Sequence, residues 1–118
     1  MADFTTAVRR LADFDRLGFE VGQLLDDPNW PWGYDHGVYC FIVDGAVVYV
    51  GRALGCTLGE RVYDHLHSTD DPAWEEVVTR RDNRVEIFAV PEARAFLSAS
   101  LEAYLIEQLA PRFNSRLG

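Results

Sequence analysis

One glutamate of this chain sits where a charge is expensive. Residues 92–109 read as a helix closed by Pro111, and Ala95, Ser98, Ala99, Leu105, Ile106 and Leu109 lie within about 60° of Glu102 on its wheel. None of them is charged. A carboxylate in such a stripe needs a cation, a metal ion or several donors, and an ion pair within the fold is the commonest answer. A second group lies elsewhere. Thr57-Leu-Gly-Glu60 is a capping-box pattern opening a helix that runs to about residue 67, and Arg61 and His65 fall one turn apart on it. An arginine fork suits phosphate, although a solvated helix face is the ordinary fate of such a pair. Tyr39 and Tyr49 sit in β-rich runs, where tyrosines usually pack at the edge of a core. Asn114, three residues after Pro111, reads by itself as a cap or turn residue.

The elements that must bring these groups together are unequally legible. Residues 37–43 and 46–51 are β-rich runs separated by Asp44-Gly45, a strong hairpin signal. A two-residue loop pairs Val43 with Ala46 and puts Tyr39 and Tyr49 on opposite faces. A three-residue loop with a bulge pairs Ile42 with Ala46 and sets the two tyrosines across from each other on one face. The spacing alone leaves both registers open. Residues 72–80 read as a short helix with Pro72 in its first turn, and residues 84–90 as a third strand. Residues 3–17 read as a helix with Ala7, Val8, Leu11 and Ala12 to one side. The stretch from Gly18 to Tyr34, with two prolines, several glycines and Trp30 and Trp32, reads as a pinned loop. Its rings, with Tyr34, either stack on exposed bases or close over the hydrophobic edge of the hairpin.

Composition narrows the class. The 118 residues suit one domain, and 48% hydrophobic with 13% aromatic residues excludes a disordered chain. No apolar run approaches the roughly 20 residues of a membrane span, and the acidic start does not resemble a signal peptide. Cys40 and Cys56 form no metal-ligand or disulfide pattern, so a reducing cytoplasm is the expected setting. All 11 basic residues are arginine, against 19 acids, for a net charge of −8 that argues against a non-specific nucleic-acid coat.

Taken in order, these residues resemble a known set. Gly37-Val38-Tyr39 and Tyr49-Val50-Gly51 are similar to the paired motif of the GIY-YIG nuclease family, with valine for isoleucine in both halves. Arg52-Ala53, Leu58, Arg61 and His65 resemble the family's following helix, and Leu101-Glu102 through Pro111 to Asn114 resembles its closing block. The resemblance covers most of residues 37–114. It implies an α+β fold, a small three-stranded antiparallel sheet flanked by helices, with the site on one sheet face and both tyrosines in it. The expected organisation is a single domain: a core over residues 37–118 and an N-terminal helical and loop extension over residues 1–36.

The implied activity is metal-dependent hydrolysis of nucleic-acid phosphodiesters, of DNA more than RNA. By resemblance Glu102 holds one Mg²⁺ or Mn²⁺, Arg61 clamps a phosphate oxygen, and Tyr39 is the general base. Tyr49 orients water or phosphate, His65 assists Tyr39, and Asn114 holds the geometry. Gly51, Arg52 and Arg112 are the expected substrate contacts. An unperturbed tyrosine is a poor base at neutral pH, so a lowered Tyr39 pKa or a proton relay is required. The negative charge is spread over both parts of the chain: seven acids and three arginines in residues 1–36, twelve and eight in residues 37–118. An active nuclease then needs a local groove of Arg52, Arg61, Arg80, Arg81, Arg84 and Arg112, or else targeting by a partner protein or by self-association. A third reading keeps the fold as an interaction domain without cleavage.

Overall fold

A computed structural model describes residues 3–11, 14–27, 29–53, 55–68 and 71–114. Helix α1 (Phe4–Val8) and a 3₁₀ turn (Arg9–Leu11) precede β1 (Asp15–Glu20) and α2 (Val21–Asp26). A second 3₁₀ turn (Pro31–Tyr34) leads to the hairpin β2 (His36–Val43) and β3 (Ala46–Arg52). Then come α3 (Leu58–Leu66), α4 (Pro72–Thr79), β4 (Arg84–Val90), a 3₁₀ turn (Glu92–Arg94) and α5 (Leu97–Leu109). Among the described residues no helix is long and apolar enough to cross a membrane.

The strands form one antiparallel sheet in the order β1-β4-β2-β3. The fold class is the expected α+β, but the sheet has four strands rather than three. The extra strand, β1, comes from the stretch expected to end a helix and begin a loop; residues 12 and 13 of that expected helix lie outside the described residues. Its sequence Asp-Arg-Leu-Gly-Phe-Glu does not alternate, because most of the strand is solvent-exposed and it is held by backbone pairing to β4. Gly18 fits there because a Cβ would lie 2.6 Å from a Glu86 carboxylate oxygen of the neighbouring strand. The closing helix is also shorter than its pattern suggested, since residues 92–94 form a 3₁₀ turn and α5 starts only at Leu97.

The hairpin combines features of both registers. Asp44 and Gly45 both take positive φ (52° and 78°), forming the tight loop that pairs Val43 with Ala46. In the next pair Ile42 faces Val47, and in the one after it Phe41 faces Tyr49, so Val48 is an extra residue on β3. That bulge turns Tyr49 to the face that already carries Tyr39 and Phe41. The displaced Val48 carbonyl accepts the Phe113 N–H at 2.8 Å, which lays the C-terminal segment along the outer edge of β3.

Each sheet face is covered. Tyr39, Phe41, Val43, Tyr49, Val85 and Ile87 pack against α2, α3, α4 and Trp32. Val38, Cys40, Val50, Phe88 and Val90 pack against α1 and α5. The central strand β2 is therefore buried on both sides, which explains its almost unbroken apolar run.

Candidate active site

A cleft of about 470 Å³ opens beside Gly51 and Arg52, lined by Tyr39, Tyr49, Arg52, Cys56, Arg61 and Glu102 with Glu60 and Asp64. The tyrosines come from one sheet face and Glu102 from a helix on the other, so the groups meet across the Arg52 end of β3 rather than on a single face. Thr57 caps α3 by accepting the Glu60 N–H at 3.3 Å, and the helix it starts presents Glu60, Arg61 and Asp64 to the cleft.

Tyr39 and His65 form the most constrained pair. The phenol oxygen and His65 Nε2 are 2.7 Å apart, a hydrogen bond in which the phenol donates when the neutral imidazole carries its proton on Nδ1. Trp74 packs on the imidazole (ring centroids 4.2 Å apart), with Phe41 at 5.7 Å and Tyr49 at 5.4 Å closing around it. Burial, aided by the Arg61 charge, pushes the His65 pKa down to about 4, so the ring is neutral at physiological pH. Burial drives the Tyr39 phenol far above its ordinary value, and Tyr49 adds to the rise; Arg61 opposes it without prevailing. The expected lowering of Tyr39 is therefore not achieved by these residues, and a proton route through His65 is the alternative they offer. Tyr49, 6.3 Å from Tyr39 between ring centroids, is likewise raised by burial.

Glu102 lies at the rim, partly buried, with Arg52 Nε 3.4 Å from its carboxylate. Burial raises its pKa and Arg52 opposes the rise, so this carboxylate is only partly compensated. Among the described residues no three His, Cys, Asp or Glu side chains converge as a metal cluster. The donor set suits a hard cation that takes one or two carboxylates and keeps several waters.

Two expected site residues, Gly51 and Asn114, have structural tasks. A Cβ on Gly51 would stand 2.5 Å from Tyr39 Cζ and Oη, so the absent side chain makes room for the tyrosine ring. Gly51→Ala should displace that hydroxyl, lower stability by about 1–3 kcal/mol and reduce cleavage in parallel, as read by urea unfolding and nuclease assay. Asn114 grips the edge strand: its Oδ1 accepts the Val50 N–H at 2.9 Å and its Nδ2 donates to the Val50 carbonyl at 2.8 Å. Asn114→Ala should cost about 2 kcal/mol, seen as a lower urea midpoint with an unchanged slope.

The six-arginine groove is not formed. Arg80 pairs with Asp44 and Asp82, Arg81 with Asp26, Arg84 with Glu86, and Arg112 with Glu76 while its guanidinium covers the Phe113 ring. Of the six, Arg52 and Arg61 line the cleft, and Arg112 lines an adjoining depression with Tyr49, Glu102 and Asn114. Glu60 and Asp64 were legible from the sequence, since positions 57, 60, 61 and 64 fall on one helical face with Arg61. Trp74 behind His65 had no such signal, because only tertiary packing of α4 brings it there.

Residues 35–115 match the family described as the UvrC-like GIY-YIG domain. UvrABC system protein C of Haloquadratum walsbyi is 38% identical over 84 residues, 69% of this chain and 13% of that protein. The chain thus spans a small part of that relative's length. The GIY-YIG N-terminal endonuclease domain of UvrC from Thermotoga maritima, bound to its catalytic magnesium, aligns with a TM-score of 0.53 at 27% identity, over 71% of this chain and 88% of that one. A tyrosine-to-phenylalanine point mutant of the same domain, bound to the catalytic divalent cation, aligns with a TM-score of 0.53 at 26% identity, over 71% and 87% of the two chains.

Proposed function

The chain belongs to the UvrC-like GIY-YIG domain family, and we propose that it is a divalent-metal-dependent endonuclease acting on nucleic-acid phosphodiesters, DNA in preference to RNA. The observation that carries this reading is one cleft holding Tyr39, Tyr49, Arg61 and Glu102, with His65 hydrogen-bonded to Tyr39. Residues 37–118 serve as the nuclease core and residues 1–36 as an extension packed on it, whose β1 adds a fourth strand to its sheet.

Glu102 would hold one Mg²⁺ or Mn²⁺, with Arg52 released from the carboxylate toward the substrate. When bound, such an ion neutralises charge on the phosphate and on the leaving oxygen. Arg61 binds a non-bridging phosphate oxygen and stabilises the charge that builds there during displacement. Tyr39 takes the proton of the attacking water while its own proton passes to His65 Nε2, which avoids a free phenolate in a buried setting. Tyr49 orients the water or the phosphate by hydrogen bonding. Asn114 keeps the end of β3 in register beneath them.

Plasmid, branched DNA and structured RNA incubated with Mg²⁺, Mn²⁺ or EDTA test the reading. Cleavage of DNA that needs the metal and disappears in EDTA is expected. Uncut substrates under all metal conditions would instead support the interaction-domain alternative.

The ion pairs of Arg80, Arg81, Arg84 and Arg112 favour a second element of the proposal, weak autonomous binding. Targeting by a partner protein or by self-association then supplies affinity. Binding by this chain alone should be weak even at low salt and fall by about tenfold between about 50 and 200 mM, the slope of about two neutralised phosphates.

A further inference from the structure

A second cavity, about 520 Å³, adjoins the cleft and shares Glu60 and Asp64 with it. Three aromatic side chains, Trp30, Tyr34 and Tyr63, line it beside Asn29, Thr57 and two glycines, and Trp30 and Tyr34 come from residues ahead of the family match at 35–115. Trp32, buried, stacks on Trp30 (centroids 5.1 Å apart, planes 6° apart) and on Phe19, so Trp30 is the outer ring of an anchored stack. Trp30 Nε1 donates to the Asp27 carbonyl at 2.8 Å and holds the indole in place. Tyr34 is 85% exposed and Tyr63 49% exposed, and Tyr63 stacks on His67 at 4.0 Å. Gly59 makes the juxtaposition possible: a Cβ there would lie 2.8 Å from the Gly33 carbonyl oxygen, so the 3₁₀ turn rests directly on the start of α3. Neither the core nor the chemistry of the cleft needs the exposed rings.

We propose that this cavity is a nucleobase subsite, in which Trp30, Tyr34 and Tyr63 stack an unpaired base next to the phosphate held in the cleft. The occupant is a base rather than backbone because the cavity's lining, among the described residues, holds no arginine like those that take phosphate in the cleft, while Glu60 and Asp64, on the wall the two share, accept hydrogen bonds from the amino groups of adenine, cytosine or guanine. Any aromatic face accepts a base π-face whatever its sequence. A base can reach the subsite only when it is unstacked, so the preferred substrate carries a single-stranded, flapped or branched segment at the cut. The proposal rests on the phosphodiester reading of the neighbouring cleft.

Its test is binding without cleavage. Tryptophan fluorescence of the full chain is followed in EDTA and low salt against a single strand of about 12 nucleotides, a blunt duplex of that length and an abasic strand. Saturable quenching by the base-bearing strand is expected. Tyr34→Ala combined with Tyr63→Ala should weaken that binding roughly 5- to 150-fold, while the paired phenylalanine substitutions retain it. The abasic strand should bind the parent and both variants alike. Equal affinity of parent and double-alanine variant for the base-bearing strand would overturn the subsite, as would an abasic strand binding as tightly as the base-bearing one. Quenching by an arginine-rich peptide with none by DNA would overturn it in favour of a peptide groove. Base-dependent binding in a protein that cuts nothing with Mg²⁺ would support the subsite and reject the nuclease reading.

Discussion

Glu102→Gln is expected to reduce metal-dependent cleavage by about 10²–10³-fold or more while leaving the fold intact. The magnitude follows from the several kcal/mol that a bound cation contributes to a phosphoryl transition state, at 1.36 kcal/mol per tenfold. The structural cost is small because the pair with Arg52 is long, 3.4 Å, and both side chains are partly solvated. Such pairs contribute about 0–1 kcal/mol. The neutral amide also avoids the cost of desolvating a charge, which is what raises the carboxylate's pKa. Activity and stability therefore part company in this variant. Cleavage assays across a Mn²⁺ series, beside urea unfolding, check both halves: cleavage unchanged by Glu102→Gln would remove this carboxylate from the site. A large loss of stability with activity falling only in proportion to the folded fraction would make it a structural ion pair.

Glu102 shows what the amino-acid pattern makes legible. Its place in an apolar stripe marks a carboxylate with an unresolved partner, and the structure supplies Arg52 as one partner of imperfect geometry. The wheel cannot say that α5 lies across the sheet from the tyrosines, because that depends on how the sheet is covered. Arg61 and His65 were readable as a pair because helical spacing is local, and α3 starts at the cap its sequence specifies. The tyrosines were readable only as strand residues. Their common face depends on a bulge at Val48, whose carbonyl is claimed by Phe113 from the far end of the chain. β1 escaped for a related reason: an exposed edge strand needs no alternation, and its pairing with β4 joins segments distant in sequence. The arginines misled in the other direction, since charge counting cannot tell a cleft arginine from one paired with a carboxylate outside the cleft.

Tyr39→Phe should lower cleavage by about 10²–10⁴-fold, the range of a lost general base, at a cost of about 1–2 kcal/mol in stability. If Tyr39 hands its proton to His65, then His65→Phe disables the same step and the double variant is little worse than either single one. Losses that multiply would instead mean that the two residues act independently. The pH dependence separates stability from chemistry. The unfolded chain protonates His65 near its ordinary value of about 6.5, whereas the folded chain resists until about 4. Between those values the unfolded state binds more protons, so stability falls as pH falls, by about 3 kcal/mol in all from this residue. The contribution is fully present above the unfolded value and is lost on acidification through that window. His65→Phe should flatten that part of the stability profile, and cleavage by the parent should show no acid limb from His65 between pH 6 and 8. A rate that rises with an apparent pKa in that interval and flattens in His65→Phe would mean that the imidazole titrates near its ordinary value, and that Trp74 and Phe41 do not keep it dry.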